Sequence, residues 1–263
     1  MKNLIVLFFF SSIATVFGQN KMLFASKLNY IAIDADEFIG YDQFGFHYTI
    51  KNNVFTKTKD GESLDYKNIA LGKITKVDIQ NPLKIILFYE NFNSVIILDN
   101  QLNEIQKINF SENPTPIVAN AVGIASQNQL WMYNSLNQQI GLYDYLKNEY
   151  KSISTSFPES IKYYQSNLTT FYWVDKKNNW YSCDRFGKIT TKIKTIDFDQ
   201  IKIITENQYL ISKNSILSIE DIDKNEKYEI EILEKTFKNF SYKDQILSIF
   251  TSEGITNYKI TIP

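Results

Sequence analysis

Short apolar runs bounded by polar turn residues recur along the chain from residue 37 to the C-terminus. Many of them alternate apolar and polar positions, which is the period of a β-strand with one buried face. After residue 20, no segment combines a 3.6-residue apolar period with caps at both ends, so no helix is predicted there. Aromatic residues make up 15% of the chain, and a high content of Phe, Tyr, Ile and Val favours strands. The pattern therefore predicts an all-β fold.

Five predicted strands end in an acidic residue that is followed by a short turn and a further strand. These residues are Asp60, Asp99, Asp144, Asp184 and Asp221, and successive ones are 37 to 45 residues apart. A period near 40 residues with four strands per repeat is typical of β-propeller blades. A carboxylate in this position can accept hydrogen bonds from backbone N–H groups of the turn. We therefore predict a structural role for all five.

The predicted strands fill five repeats and leave a remainder at each end. They are residues 37–41, 46–50, 54–58 and 62–69; 74–79, 84–89, 95–98 and 104–110; 117–124, 129–133, 139–143 and 149–154; 160–165, 169–174, 178–183 and 188–194; and 200–205, 208–211, 215–219 and 227–233. The C-terminal remainder (237–240, 245–250 and 254–262) lacks one strand, and the N-terminal remainder (Met22 to Ile33) supplies one. We predict six four-stranded blades, closed when the N-terminal strand joins the C-terminal blade, because closure removes open sheet edges. A ring of five or seven blades and a β-sandwich stay open as alternatives.

The N-terminus has the features of a secretory signal peptide. Lys2 precedes an unbroken apolar run at residues 4–10, and Gly18 supplies a small residue at the cleavage site. The apolar segment is shorter than the roughly 20 residues that a membrane-spanning helix needs. We predict a signal peptide at residues 1–19 with cleavage at Gly18 and Gln19, and one propeller domain at residues 20–263. The protein would be exported, and so periplasmic, associated with the outer membrane, or secreted.

The composition excludes several chemistries. One histidine, His47, and one cysteine, Cys183, provide too few ligands for a zinc or iron–sulfur site. We find no phosphate-binding loop, no dinucleotide fingerprint and no G-x-S-x-G elbow. The formal net charge of −1 argues against a nucleic-acid partner. The sequence therefore predicts no catalytic residues and no resident cofactor or metal, with Cys183 as a buried apolar residue.

Two further readings stay open. Ca²⁺ could be held by oxygen ligands on the innermost strands, for which Glu37, Asp78 and Asn120 are candidates, although we favour channel-lining polar residues without a metal. The aromatic residues of the fourth repeat, at 163–164, 171–173 and 180–181, could bind a glycan. Alternation places Phe171 and Trp173 on one sheet face and Tyr172 on the other, so packing between blades is the better explanation.

The repeated strand and Asp turn resembles the quinoprotein-like and NHL-type propellers. Residues 77–89 and 93–100 are similar to a segment of uncharacterised secreted envelope propellers of gram-negative bacteria. Such propellers include lipoproteins that dock other proteins during outer-membrane protein assembly, but no lipidation cysteine follows the apolar run here. The resemblance implies a non-enzymatic scaffold whose partner is another envelope protein. A Ca²⁺-dependent hydrolase or lactonase, and a glycan-binding module, are the alternatives.

Overall fold

The computed structural model describes residues 21–157 and 160–262. They form β-strands joined by turns, with two short 3₁₀ segments, Glu90–Phe92 and Phe110–Glu112. The predicted signal peptide and its cleavage site at Gly18 and Gln19 lie outside the described residues. In the described part of the chain, no helix has the length and apolar character needed to cross a membrane.

The strands are arranged in six sheets, each of which is one blade of a propeller. The described chain starts with β1 (Lys21–Phe24) and β2 (Ser26–Ala32). Blade 1 holds β3 (Glu37–Tyr41), β4 (His47–Lys51), β5 (Val54–Lys59) and β6 (Glu62–Tyr66). Blade 2 holds β7 (Lys76–Asp78), β8 (Ile85–Tyr89), β9 (Ser94–Leu98) and β10 (Glu104–Asn109). Blade 3 holds β11 (Ala119–Ile124), β12 (Gln129–Asn134), β13 (Gln139–Asp144) and β14 (Glu149–Ser152).

The remaining blades follow the same plan. Blade 4 holds β15 (Ile161–Ser166), β16 (Thr170–Asp175), β17 (Asn179–Asp184) and β18 (Ile189–Lys194). Blade 5 holds β19 (Gln200–Ile203), β20 (Gln208–Lys213), β21 (Ile216–Asp221) and β22 (Glu226–Glu231). Blade 6 holds β23 (Asn239–Lys243), β24 (Ile246–Phe250) and β25 (Gly254–Lys259), with β2 as its fourth strand. We letter the strands of each blade A to D from the ring axis outward, since the first strands of neighbouring blades contact one another, as β11 does β7 and β15.

The structure confirms six four-stranded blades and corrects the N-terminal strand. The predicted strand from Met22 to Ile33 is two strands that belong to different blades. β2 pairs antiparallel with β25 and closes blade 6, whereas β1 pairs parallel with β22 as a fifth strand of blade 5. At about 3.3 Å per residue, a single strand of that length would be about twice as long as the strands beside it. The chain therefore crosses from one blade to the next between the two strands.

The core is divided into layers between neighbouring blades. Each of the six clusters of buried apolar residues draws its members from two adjacent blades, so both faces of every sheet are covered. Leu23 of β1 packs into the layer between blades 5 and 6. The layer between blades 6 and 1 is the smallest, with Ala35 and Phe38 against Phe250 and Ile255. The ring is thus closed by its thinnest apolar layer together with the pairing of β2.

Two truncated proteins test this closure. A protein that starts at Ser26 loses β1 and keeps β2, and we expect it to be monomeric and folded with a lowered unfolding midpoint. A protein that starts at Asp34 also loses β2, which exposes the edge of β25, so we expect aggregation or loss of cooperative unfolding. Size-exclusion chromatography with light scattering and thermal unfolding measure both outcomes. A monomeric second protein with the same midpoint as the first would contradict closure by β2.

Candidate functional site: the central channel and its mouth

The loops of the ring lie on two faces. The AB face carries the loops that join the A to the B strands and the C to the D strands. The BC face carries the B–C loops and the connections from one blade to the next. The A strands surround a channel along the ring axis, so side chains that are far apart in sequence can meet there.

The five predicted turn residues lie where the C strands reach the AB face. The carboxylates of Asp99, Asp144, Asp184 and Asp221 accept hydrogen bonds of 2.8–3.1 Å from backbone N–H groups in the turn that follows. Asp60 differs, because its side chain forms no hydrogen bond within the described chain. Its backbone adopts the left-handed region (φ 53°), and Gly61 follows with φ 86°. Four of the five carboxylates therefore hold their turn directly.

Two further turn aspartates lie outside the five repeated positions, and the sequence predicted a hairpin turn at Asp175 without indicating that its side chain is buried. Asp175 is fully buried and accepts hydrogen bonds from the backbone N–H groups of Lys177 and Asn179, both at 2.8 Å, and from the Tyr181 hydroxyl at 3.3 Å. Asp42 accepts two backbone N–H groups and the Tyr48 hydroxyl, at 2.9 Å. In both cases a tyrosine stands six residues after the aspartate. That spacing is the signal that could have found them.

Isosteric substitutions separate the two kinds of turn residue. Asp175→Asn removes the charge that four N–H and O–H donors surround, so we expect a loss of about 2 kcal/mol or more in the free energy of unfolding. Asp60→Asn should change it by less than about 0.5 kcal/mol, because asparagine also tolerates a positive φ. Urea unfolding of both variants measures the difference. Equal losses in the two variants would contradict the conclusion that the Asp175 carboxylate stabilises its turn and the Asp60 carboxylate does not.

Lysine and tyrosine side chains from separate blades contact one another in the channel. The ammonium group of Lys76, on β7, lies 5.2 Å from the ring centre of Tyr164 and 5.6 Å from that of Tyr163. Lys202, on β19, is close enough to Lys76 and Lys243 to sense their charges. Burial, with the positive charge of Lys76 as the second cause, lowers the pKa of Lys202 to about 8. Burial also lowers the pKa of Lys76.

The structure places the three Ca²⁺ candidates on A strands but does not join them into one site. One carboxylate oxygen of Asp78 accepts the backbone N–H of Ile124 at 2.9 Å, and Asn120 donates its amide to Glu90 at 2.7 Å. Burial raises the pKa of Glu37, whose charged neighbours are lysines. Among the described residues, no three His, Cys, Asp or Glu side chains are placed to share a metal ion.

The channel opens on the AB face into a depression of about 480 Å³. It is lined by Gln43 of blade 1, Gln80, Asn81 and Pro82 of blade 2, and Asn167, Leu168 and Thr169 of blade 4. Gln80 donates to the backbone carbonyl of Ser166, which links blade 2 to blade 4 across blade 3. Gly123 permits this approach, since a Cβ there would lie 2.1 Å from the Ser166 hydroxyl oxygen.

The other residues singled out from sequence lie in the walls. The blade 4 aromatics Phe171 and Trp173 are buried against blade 3, and Tyr172 is buried against blade 5, as alternation predicted. His47 packs edge-on against Tyr41 with ring centres 5.9 Å apart, and burial lowers its pKa. Cys183 is buried between blades 3 and 4, and burial raises the pKa of its thiol to about 12.

The buried thiol leads to a prediction about reactivity. With a pKa of about 12, Cys183 holds almost no thiolate at pH 8, so a disulfide reagent should modify the folded protein at least about 100-fold more slowly than the unfolded protein. A control with Thr190→Cys and Cys183→Ala carries its thiol on an exposed position of the same blade and should react fast when folded. The rate of thiol release measures both. Fast modification of Cys183 in folded protein would contradict the burial of its thiol.

Comparison with known proteins supports the fold and does not identify a family or a function. No protein-family model and no curated protein matches the chain. A solved structure of a Bacteroides thetaiotaomicron protein of unknown function is 14% identical, with a TM-score of 0.59 over 92% of this chain and 75% of that one. Virginiamycin B lyase from Staphylococcus aureus is 12% identical, with a TM-score of 0.55 over 84% of this chain and 79% of that one.

A third similar structure is the extracellular domain of a hybrid two-component system from B. thetaiotaomicron. It is 8% identical, with a TM-score of 0.52 over 87% of this chain and 34% of that one. Identities at this level show a shared fold alone. The chain is therefore a six-bladed, all-β propeller, and its neighbours of that fold have varied functions.

Proposed function

We propose that this protein is an exported, non-enzymatic propeller that docks another cell-envelope protein on its AB face, at the mouth of the channel. The observation that carries the proposal is a set of exposed apolar side chains on the loops of that face. Phe186 is 92% exposed at the tip of the C–D turn of blade 4. Phe44, Leu83, Leu146 and Leu168 on neighbouring loops are also exposed. Exposed apolar side chains grouped beside polar ones are typical of protein-interaction surfaces.

The loops at the mouth are held in one conformation by hydrogen bonds. The side-chain oxygen of Asn167 accepts the backbone N–H groups of Thr169 and Thr170 at 2.9 and 2.8 Å, and its backbone carbonyl accepts the indole N–H of Trp131 at 2.8 Å. Asn81 caps its own loop in the same way through the N–H of Leu83. A surface that is already ordered loses little conformational entropy on binding, which favours affinity.

The BC face is the less suitable of the two. Its groove of about 620 Å³ lies to one side of the axis, beside blade 6, and charged side chains such as Lys27, Glu234 and Glu253 line it. Exposed apolar residues also occur on that face, among them Ile69, Leu136 and Ile216, but none of these three lines the groove, whereas Leu168 lines the depression of the AB face. The AB mouth combines apolar side chains, amide groups and a concave centre in one place.

Export is the second part of the proposal. It is motivated by the signal-peptide features of residues 1–19, and we place the protein in the periplasm, at the outer membrane or outside the cell. A part of the extracellular domain of the B. thetaiotaomicron two-component protein has the same fold, which is in line with this placement. The partner would then be a protein of the same compartment.

Matched surface variants test the docking face. In one variant Leu83, Leu168 and Phe186 are changed to serine, and in the control Ile69, Leu136 and Ile216 are changed to serine. All six side chains are exposed, so both variants should fold with midpoints close to that of the wild type. Each protein is used to isolate partners from native cell envelopes, and partners are quantified by mass spectrometry.

We expect a protein retained by the wild type and the control and reduced at least about tenfold in the AB-face variant, as loss of interface anchors predicts. Retention of no protein by the wild type would overturn the proposal. Loss in the control alone would overturn the choice of face.

A further inference from the structure

The groove on the BC face is built from three segments at the junction of blades 5 and 6. It lies between the connection from blade 5 to blade 6 (residues 232–238), the B–C loop of blade 6 (residues 251–253) and strand β2. Its volume of about 620 Å³ falls within the range of roughly 300–1,000 Å³ that is usual for small-molecule sites. The groove is therefore large enough to hold a small ligand.

A buried hydroxyl group without a partner faces this groove. Thr256 of β25 is 4% exposed and lines the groove, and its hydroxyl forms no hydrogen bond within the described chain. Thr256 is the cross-strand neighbour of Tyr30 on β2, so the two side chains lie on the same face of the sheet. A hydroxyl that is withdrawn from most of the solvent and lacks a partner lowers the stability of a fold. Its position at the groove points to a ligand that supplies the missing hydrogen bond.

Two aromatic rings line the same groove and are held by contacts within the chain. The Tyr30 side chain is 46% exposed, and its hydroxyl donates to the backbone carbonyl of Glu253 at 2.7 Å, which fixes the ring. Phe237 packs edge-on against Phe240 with ring centres 6.3 Å apart, at the apolar layer between blades 5 and 6. The ammonium group of Lys27 lies 6.0 Å from the centre of the Tyr30 ring, so a ligand at this ring also meets a hydrogen-bond donor. Fixed rings beside polar groups favour a ligand with both C–H and O–H surfaces.

The charged residues of the groove balance one another. They are two lysines and two glutamates, namely Lys27, Lys238, Glu234 and Glu253. The Glu234 carboxylate accepts the Tyr258 hydroxyl at 2.7 Å, and the Lys238 ammonium donates to the Ala35 carbonyl at 2.9 Å. Each of these two groups is positioned by that hydrogen bond and keeps the capacity for others. A lining with donors and acceptors but no net charge favours a neutral ligand that carries many hydroxyl groups.

We propose that the BC-face groove binds a short neutral saccharide. One sugar ring stacks on Tyr30, and one of its hydroxyl groups forms a hydrogen bond with Thr256. The lysines and glutamates of the groove bind further hydroxyl groups through charge-assisted hydrogen bonds. The site does not depend on the docking function, because the groove and the AB mouth lie on opposite faces of the ring.

A glycan array with neutral and acidic glycans, followed by titration calorimetry with the neutral glycan that binds best, tests the site. We expect Tyr30→Leu and Thr256→Val each to bind that glycan at least about tenfold more weakly than the wild type. Tyr30→Phe keeps the ring and should bind within about threefold of the wild type. The control Thr190→Val, which changes an exposed threonine on the D strand of blade 4, should bind like the wild type.

Thermal unfolding without glycan separates a ligand-binding role of Thr256 from a structural one. Thr256→Val should unfold at the same temperature as the wild type or a higher one, because it removes a buried hydroxyl that has no partner in the chain. A wild type that binds no neutral glycan, or acidic glycans alone, would overturn the proposal. Equal glycan affinity of the wild type and Thr256→Val would overturn it as well.

Discussion

Burial of both faces of every blade is the constraint on which the rest of the structure depends. A single four-stranded sheet with two apolar faces cannot hide both of them, so each blade needs a neighbour on either side. Only a closed ring gives every blade two neighbours, and the six apolar layers of this protein lie at the six junctions. The junction between blades 6 and 1 contributes the fewest buried apolar residues. The hydrogen bonds between β2 and β25 hold the N-terminal strand on blade 6, and they compensate for the small apolar area buried at this junction.

Closure of the ring also produces the central channel and brings side chains of different blades together in it. Because the A strands surround the axis, Lys76 of blade 2 lies over the rings of Tyr163 and Tyr164 of blade 4. The same geometry brings Gln80 to Ser166 across the narrow inner strand of blade 3, where Gly123 leaves room. Hydrogen bonds between blades therefore hold the loops of the mouth in place. Exposed apolar side chains surround this mouth, which is the docking surface that we propose.

The sequence predicted the blades well because strand alternation and turn chemistry are local. The period near 40 residues and the spare N-terminal strand were sufficient to predict six blades and their closure. The division of that strand at Ala25 was not predictable from alternation, because β1 and β2 continue one pattern of apolar and polar residues. Only the length of the strands beside them shows that they are two strands. The burial of Asp175 and Asp42 was missed because they lie in hairpins outside the repeated position.

The candidate site was less accessible to sequence reasoning. Glu37, Asp78 and Asn120 were correctly placed on inner strands, but the lysines beside them carried no motif. A lysine on a strand is usually solvated, and its contact with tyrosines of another blade depends on how the propeller closes. The apolar side chains of the AB face were equally difficult to identify from the sequence, because a single exposed leucine or phenylalanine in a loop is common. Their grouping appears only when the loops of blades 1 to 4 are brought to one face.

Hydrogen–deuterium exchange of the N-terminal strands tests the closed ring most directly. If β2 completes blade 6, its amides that pair with β25 exchange as slowly as those of β12 in the middle of blade 3, by way of global unfolding. Slow exchange at β2 together with slow exchange at β25 is the result that closure predicts. Exchange of β2 and β25 at the rate of an open edge, with the other blades still protected, would contradict the closed ring and the channel that depends on it.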